Sequence, residues 1–457
     1  MTSRHIQHLY WRAGFGIAPK RLNDLSKFDR KYVVDALFSE SKNFTSLLID
    51  TSEIEHLTSE HTLKDKTIRR KLVKLSNQKI KDYNVSWVNR MVTSEETLRE
   101  KMTLFWANHF VCRDQNILHV QRYNNILREY ALGHFGDFVK AVSKEAAMLK
   151  YLNNKQNRKL KPNENFAREL MELFTLGEGH YSEIDIKESA RAFTGYNATF
   201  KGDFVLRERH HDQGFKTFFG RMGRYDGDDI IDIILEQKQC ARFICGKIYS
   251  YFVNDQIDDK RVEELTEIFY KNYNIEQLMR YLFSTNWFYS EDHIGSKIKS
   301  PVEFLVGMQK TVPVTFEKPK DLLKIQKLLG QILLNPPNVA GWKGGTSWID
   351  SNTMMLRLKL PSIILANAKI SVKEKGEFED TFEKFYAKKK KNKFVTVTVD
   401  WNAFEQDFET ITISDLESQL ILANLSVGAK TYLQTLSQSS KQAFCVQLMS
   451  LPEYQMC

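Results

Sequence analysis

The densest concentration of groups able to move protons or hold charge lies in residues 163–196, NENFARELMELFTLGEGHYSEIDIKESARAFTGY. Phe166, Leu170, Leu173 and Phe174 recur at helical spacing, which predicts a helix with one apolar face. Arg168, Glu169 and Glu172 then share the opposite arc. Two carboxylates in different surroundings can divide the roles of acid and base, so Glu169 and Glu172 are candidate catalytic groups. A solvated face with local ion pairs is the alternative, since Glu164–Arg168 and Arg168–Glu172 are spaced i,i+4. Gly177 suits a left-handed cap. Ser182 and Asp185 predict a capping-box start for a second helix, which carries Glu188 and Arg191 and ends at Gly195.

Two loops supply further chemistry. ATFKGDFVLRERHHDQGFKTFFG (198–220) alternates enough to predict a small β-hairpin turning at Lys201-Gly202-Asp203. It leads to His210-His211-Asp212, then Gly214 and Lys216. Imidazole and carboxylate on one turn can ligate a divalent metal or transfer protons. Adjacent histidines on a strand end point opposite ways, so His211 and Asp212 are preferred as ligands or catalysts. No motif specifies a cofactor. The second loop, LGQILLNPPNVAGWKGGTSWID (329–350), is forced irregular by its prolines and glycines. Its Trp342 and Trp348 can stack on a flat ligand or plug the loop onto its own core. With Arg168, Arg191 and Lys216 as holders of anionic groups, they complete a candidate substrate site. The arc at 165–172, the loop at 211–216 and the loop at 335–348 are expected to border one pocket.

The elements that must position these groups read mostly as helices. Residues 6–38 are helical with a break at 14–19, and 53–92 and 226–311 are helical in pattern. His5 and His8, spaced i,i+3, read as amphipathic surface or as a ligand pair. Thr93 with Glu96 predicts a capping box for the next helix. There Leu98, Met102 and Phe105 define an inner face. His109 shares that face, as a hydrogen-bonded core residue or one pointing into a buried polar site. Ser300-Pro301 starts another helix. The fold class is mainly α: a multi-helix globular core with a small β-hairpin insertion near residues 197–220. Residues 1–368 form the core domain. Residues 369–457 form a charged linker at 373–393 and a C-terminal extension on or near the core, with one strand at 394–399.

At 457 residues, with 42% hydrophobic and 27% charged side chains, the chain has the makeup of a globular protein with a large core. A net charge of +9 is mild for this length, and no nucleic-acid motif is present. No stretch resembles a membrane span or a signal peptide, so a cytoplasmic location is the default, with other export routes left open. Five cysteines without a Cys-x-x-Cys pair argue against a disulfide framework or zinc site.

Seven collinear segments resemble the bacterial family catalogued as domain of unknown function 1800: HLYWRAGFG (8–16), LREKMTLFWANHF (98–110), NFARELMELFTLG (165–177), YSEIDIKESARAFTG (181–195), HDQGFKTFFG (211–220), KSPVEFLVG (299–307) and LGQILLNPPNVAGW (329–342). The resemblance implies a mainly helical protein and carries no catalytic residues over. It also implies association with a partner of sulfatase-like fold in a surface, secretion or polysaccharide pathway. Two functions follow as expectations. One is a hydrolase- or lyase-like enzyme on a polar, glycan-like or anionic substrate, using Glu169, Glu172, His211 and Asp212. The other is a non-enzymatic maturation or scaffolding partner of the sulfatase-like protein.

Overall fold

A computed structural model describes residues 1–58, 65–366, 395–435 and 440–457. Helices make up 61% of it, and the strands among the described residues form three two-stranded antiparallel sheets. In chain order β1 (Tyr196–Ala198) pairs with β2 (Phe204–Leu206), and β3 (Lys216–Phe218) with β4 (Arg221–Gly223). β5 (Val314–Phe316) pairs with β6 (Val397–Val399), Val314 opposite Val399. The single expected hairpin is therefore two consecutive short ones. Of the strand expected at 394–399, Val397–Val399 form β6 and Val395–Thr396 lead into it; Phe394, like the charged stretch 373–393, lies outside the described residues.

The apolar side chains gather into two main cores. One runs from Ile6 to Tyr289 and includes Phe105, Trp106, Phe135, Phe174 and Ile248. The other joins Trp87 and Val88 to the helices Pro301–Thr311, Pro319–Leu329, Ser351–Leu365 and Lys441–Met449. Val397, Phe404, Leu416, Phe444 and Leu448 belong to this second core, so the described part of 395–457 is built into it.

The helix Thr97–His109 stands between the two cores. Met102, Phe105 and Trp106 enter the first, and Leu104 enters the second. It is buried on nearly every face, Glu100 and Lys101 included. A buried charge persists only when paired and hydrogen-bonded. Glu100 accepts from Trp87 Nε1 at 3.0 Å, from Arg90 Nε at 2.6 Å and from Arg128 Nε at 2.7 Å. Arg128, also fully buried, reaches Asn124 and Asn125 with its remaining donors. This network ties the helix to both Lys66–Thr93 and Ile117–Glu129.

Local signals held at several ends and failed at two. Ser182 and Asp185 form the capping box of Glu183–Ala192, and Ser300 with Glu303 forms another at Pro301–Thr311. Thr93, by contrast, closes Lys66–Thr93, its hydroxyl bonded to Asn89 O, while Glu96 pairs with Arg90 instead of capping. The helix expected over 165–177 is α-helical only for Asn165–Glu169 and winds as a π-helix over Leu170–Thr175. Leu176 N–H donates five residues back to Met171 O, and Gly177 follows at φ +85°. Beside it His109 is buried, its Nε2 at 3.0 Å from Phe174 O. Because that carbonyl can only accept, Nε2 carries the ring proton. Burial first, then the charge of Lys247, pushes His109 down to about 3, so the imidazole is neutral. His8 is likewise buried, with Nε2 on Phe288 O at 3.0 Å, and is no ligand pair with His5 at the surface.

Glu100→Ala strands Arg128 in the interior. The expected loss is about 3–5 kcal/mol, read as a lower urea midpoint with an unchanged slope.

Candidate functional site

The charged residues singled out in the sequence form a peripheral network. Arg191 Nε meets Asp212 Oδ2 at 2.8 Å, and its Nη1 meets Glu188 Oε2 at 2.8 Å. Glu188 also accepts from Thr217 N–H at 2.8 Å, and Asp212 Oδ1 from Gly214 N–H at 2.8 Å. Lys216 Nζ donates to the carbonyls of Asp212 (2.6 Å) and Gly214 (3.2 Å). His211 Nδ1 lies 2.8 Å from Thr194 O, and Thr194 Oγ1 accepts from Asp212 N–H. Burial opposes ionisation of Asp212, but the hydrogen bonds from Arg191 and Gly214 outweigh it and hold the carboxyl below its ordinary value. The structure thus brings Arg191, His211, Asp212 and Lys216 together, with Glu188 added, and their charges satisfy one another. The result fastens the loop 211–216 and β3 to the helix Glu183–Ala192.

The 165–172 arc is arranged differently. Arg168 turns to Glu183 (3.0 Å) and Glu164 (3.4 Å), not to Glu172. Glu172 accepts from Tyr181 Oη at 2.8 Å. Glu169 is raised above its ordinary value, first by burial and then by the charge of Glu172. Among the described residues no group of three or more His, Cys, Asp or Glu side chains is placed to hold a metal.

The third segment builds a cavity elsewhere. Asn108 clamps the Pro/Gly loop, donating to Trp342 O (3.0 Å) and accepting from Trp342 N–H (2.8 Å). Gly341 makes that approach feasible: at φ +78°, a Cβ there would sit 2.3 Å from Asn108 Oδ1. Trp342 is buried by this contact, while Trp348, with Gly344 and Gly345, lines a cavity of about 60 Å³. That is room for roughly four to six waters or one small polyatomic anion. No residue of 165–172 or 211–216 lines it, so the three segments expected at one pocket are divided between separate places.

The cavity wall is cationic. Lys101, Leu104 and Asn108, one stripe of the helix Thr97–His109, face it with Arg12, Tyr251, Lys297 and Glu303. Glu303 joins two roles: one oxygen caps its helix through Ser300 N–H at 2.7 Å, and the other makes a short ion pair with Lys101. Burial disfavours its charge, yet the Lys101 ammonium and the Ser300 donors together hold its carboxyl at about 2. Lys297 donates to Ser250 O at 2.6 Å and pairs with Asp255. Behind the wall Lys299 lies between two rings, 3.7 Å from the Trp11 centroid and 3.9 Å from that of Tyr454, and donates to Tyr454 O at 2.7 Å. Burial pulls it down to about 7 against the upward pull of Cys457 and Glu303. Arg357, buried beside it, reaches Lys299 O and Gln455. Arg12 is 2% exposed; one terminal nitrogen bonds His293 O (2.6 Å) and Ser296 Oγ (3.1 Å), and Nε and Nη1 have no partner.

Sequence reasoning passed over this site because its members are charges scattered over segments far apart in the chain. The signal was present. Glu303 stands alone in an apolar run, PVEFLVGM, which leaves a charge no solvated side to occupy.

A helical protein with two cores and a buried cationic cavity at their seam is thus defined. The chain matches, over residues 8–456, the model of the family described as Protein of unknown function (DUF1800), and it belongs to that family. The match extends through the C-terminal residues that complete the second core. Neither a curated protein nor a solved structure matches the chain. Four of the seven segments that carry the resemblance contribute to the cavity wall, through Arg12, Lys101, Glu303 and Gln331.

The cavity makes stability depend on pH. Lys299 binds its proton below about 7 in the folded chain and below 10.5 when unfolded. Between those values the unfolded chain holds more protons, so this residue's contribution rises with pH. Against Lys299→Met, the wild-type protein is expected to gain thermal stability from pH 7 to pH 10, measured by melting in matched buffers.

Proposed function

We propose that the protein binds an anionic ligand, or the anionic group of a larger polar substrate, in the cavity between its two cores. The observation that carries this reading is Arg12: a buried guanidinium at the cavity with Nε and Nη1 unpartnered. Leaving such donors unmet is costly, and a planar or tetrahedral oxyanion meets two of them at once. Lys101 and Lys297, each already paired with a carboxylate, add N–H donors from the same wall, and Trp348 and Tyr251 supply apolar and aromatic surface that limits water. Thermal-shift measurements at low ionic strength test it, with phosphate, sulfate and a small carboxylate against chloride. A ligand at a hundred times its Kd should stabilise by about 2.7 kcal/mol, and Arg12→Met and Lys297→Gln should each abolish or weaken the response. A response to the oxyanions no larger than that to chloride would overturn the reading.

A second reading, a hydrolase- or lyase-like enzyme working through carboxylates, draws on Glu169 and Glu172. Glu169 is pushed toward its neutral form, as a general acid requires, and Glu172 accepts from a tyrosine hydroxyl. Arg168, Arg191, His211, Asp212 and Lys216 would then position substrate. Glu169→Gln keeps the shape and removes the titrating group. Loss of complementation in a deletion strain with an unchanged melting temperature supports chemistry there; loss of stability assigns the residue to the framework.

A further inference from the structure

On a different part of the surface, residues 158–161 form a tight turn, Arg-Lys-Leu-Lys, closed by Lys161 N–H on Arg158 O at 2.8 Å. Its tip, Leu160, is 93% exposed. The turn is held at its base. Asn157 is buried and donates to Ala190 O (2.8 Å), its carbonyl accepts from Gly195 N–H (3.0 Å), and Lys159 N–H donates to His210 O (2.9 Å). Beside it runs a groove of about 540 Å³ to which Arg158, Lys159, Lys161 and Arg209 contribute, and no carboxylate lines it. Among the described residues none of these four cations has an acidic partner within 4 Å; Glu208, exposed next to Arg209, pairs with none of them. By comparison, the surface cations Arg168, Lys238, Arg242 and Arg280 are each tied to two carboxylates.

We propose that this turn and the flanking Arg209–His210 dock the protein reversibly onto an anionic lipid surface. The cations suit lipid phosphates, and the leucine suits the boundary between headgroups and acyl chains. An acidic polymer would meet the cations and leave Leu160 with nothing to contact. The leucine is what selects a bilayer. Because the backbone is already fixed by Asn157 and His210, little ordering is lost on binding. None of the described helices is long and apolar enough to cross a membrane, so the contact is peripheral.

The full-length protein is mixed with vesicles of phosphatidylcholine alone and of phosphatidylcholine with one-third phosphatidylserine, and binding is read by co-sedimentation at low and high salt. Binding is expected only with the anionic vesicles, weakening as salt rises. Lys159→Glu with Lys161→Glu should weaken it by roughly 30-fold or more, and Leu160→Ser by about tenfold. Leu160→Trp should shift its emission to the blue on binding. All these changes are on an exposed turn, and an unchanged melting curve confirms the fold. Absence of binding at low salt overturns the proposal. So does full binding by Leu160→Ser, or tight capture by polyphosphate that Leu160→Ser leaves intact, which would assign the groove to an acidic polymer.

Discussion

Two consecutive charges, Glu100 and Lys101, are buried on a helix that has no solvated face, and the arrangement around them follows from that constraint. Successive residues on a helix point about 100° apart, so the two cannot share a partner. Glu100 is met by Trp87, Arg90 and Arg128 on the flanking helices. Lys101 is met by Glu303 from the start of another helix and by Trp11 O at 3.3 Å. Each pair is oriented and hydrogen-bonded, which is the condition for a buried charge to be tolerated. Through them one helix fixes the position of helices belonging to both cores.

The cavity is a by-product of the same requirement with one term left open. Lys101 is neutralised by Glu303, and Lys297 by Asp255, yet Arg12, Lys299 and Arg357 lie in the same region with only carbonyls, hydroxyls, amides and rings as direct partners. The peripheral network of Glu188, Arg191 and Asp212 closes its own charges. That contrast, surplus cation inside and balanced charge outside, is why the cavity is the stronger candidate for a ligand.

Much of the fold was readable from the chain because it depends on local signals. The helical periods, the capping box at Ser182, the left-handed cap at Gly177 and the burial of His109 each follow from residues close in sequence. Thr93 and Glu96 misled because the decisive partner of Glu96, Arg90, lies a turn and a half back on the preceding helix. The cavity was hidden for a related reason. Arg12, Lys101 and Glu303 come from segments far apart in the chain, and nothing within any one of them says which way its charge faces. The irregular loop with Trp342 and Trp348 was visible as a loop; only the fold shows that Asn108 holds the first tryptophan and that the second borders the cavity.

The π-helical stretch Leu170–Thr175 has a bearing on how this segment tolerates length change. A wide turn of this kind holds one residue more than an α-turn, and Thr175 stabilises it by folding its hydroxyl back onto Leu170 O at 2.6 Å. Excising any one of the six residues would let the backbone relax to ordinary α pitch. Five residues at the α-helical 100° each turn through about 500°, close to the span of six in the wider coil, so the chain downstream would keep nearly the same direction. The change would be local, confined to the coil in which Thr175 closes on Leu170 O and Phe174 O is turned to His109. The wide turn therefore acts as a slot for one surplus residue, which the segment can give up without re-aiming the left-handed Gly177 and the helix that follows it.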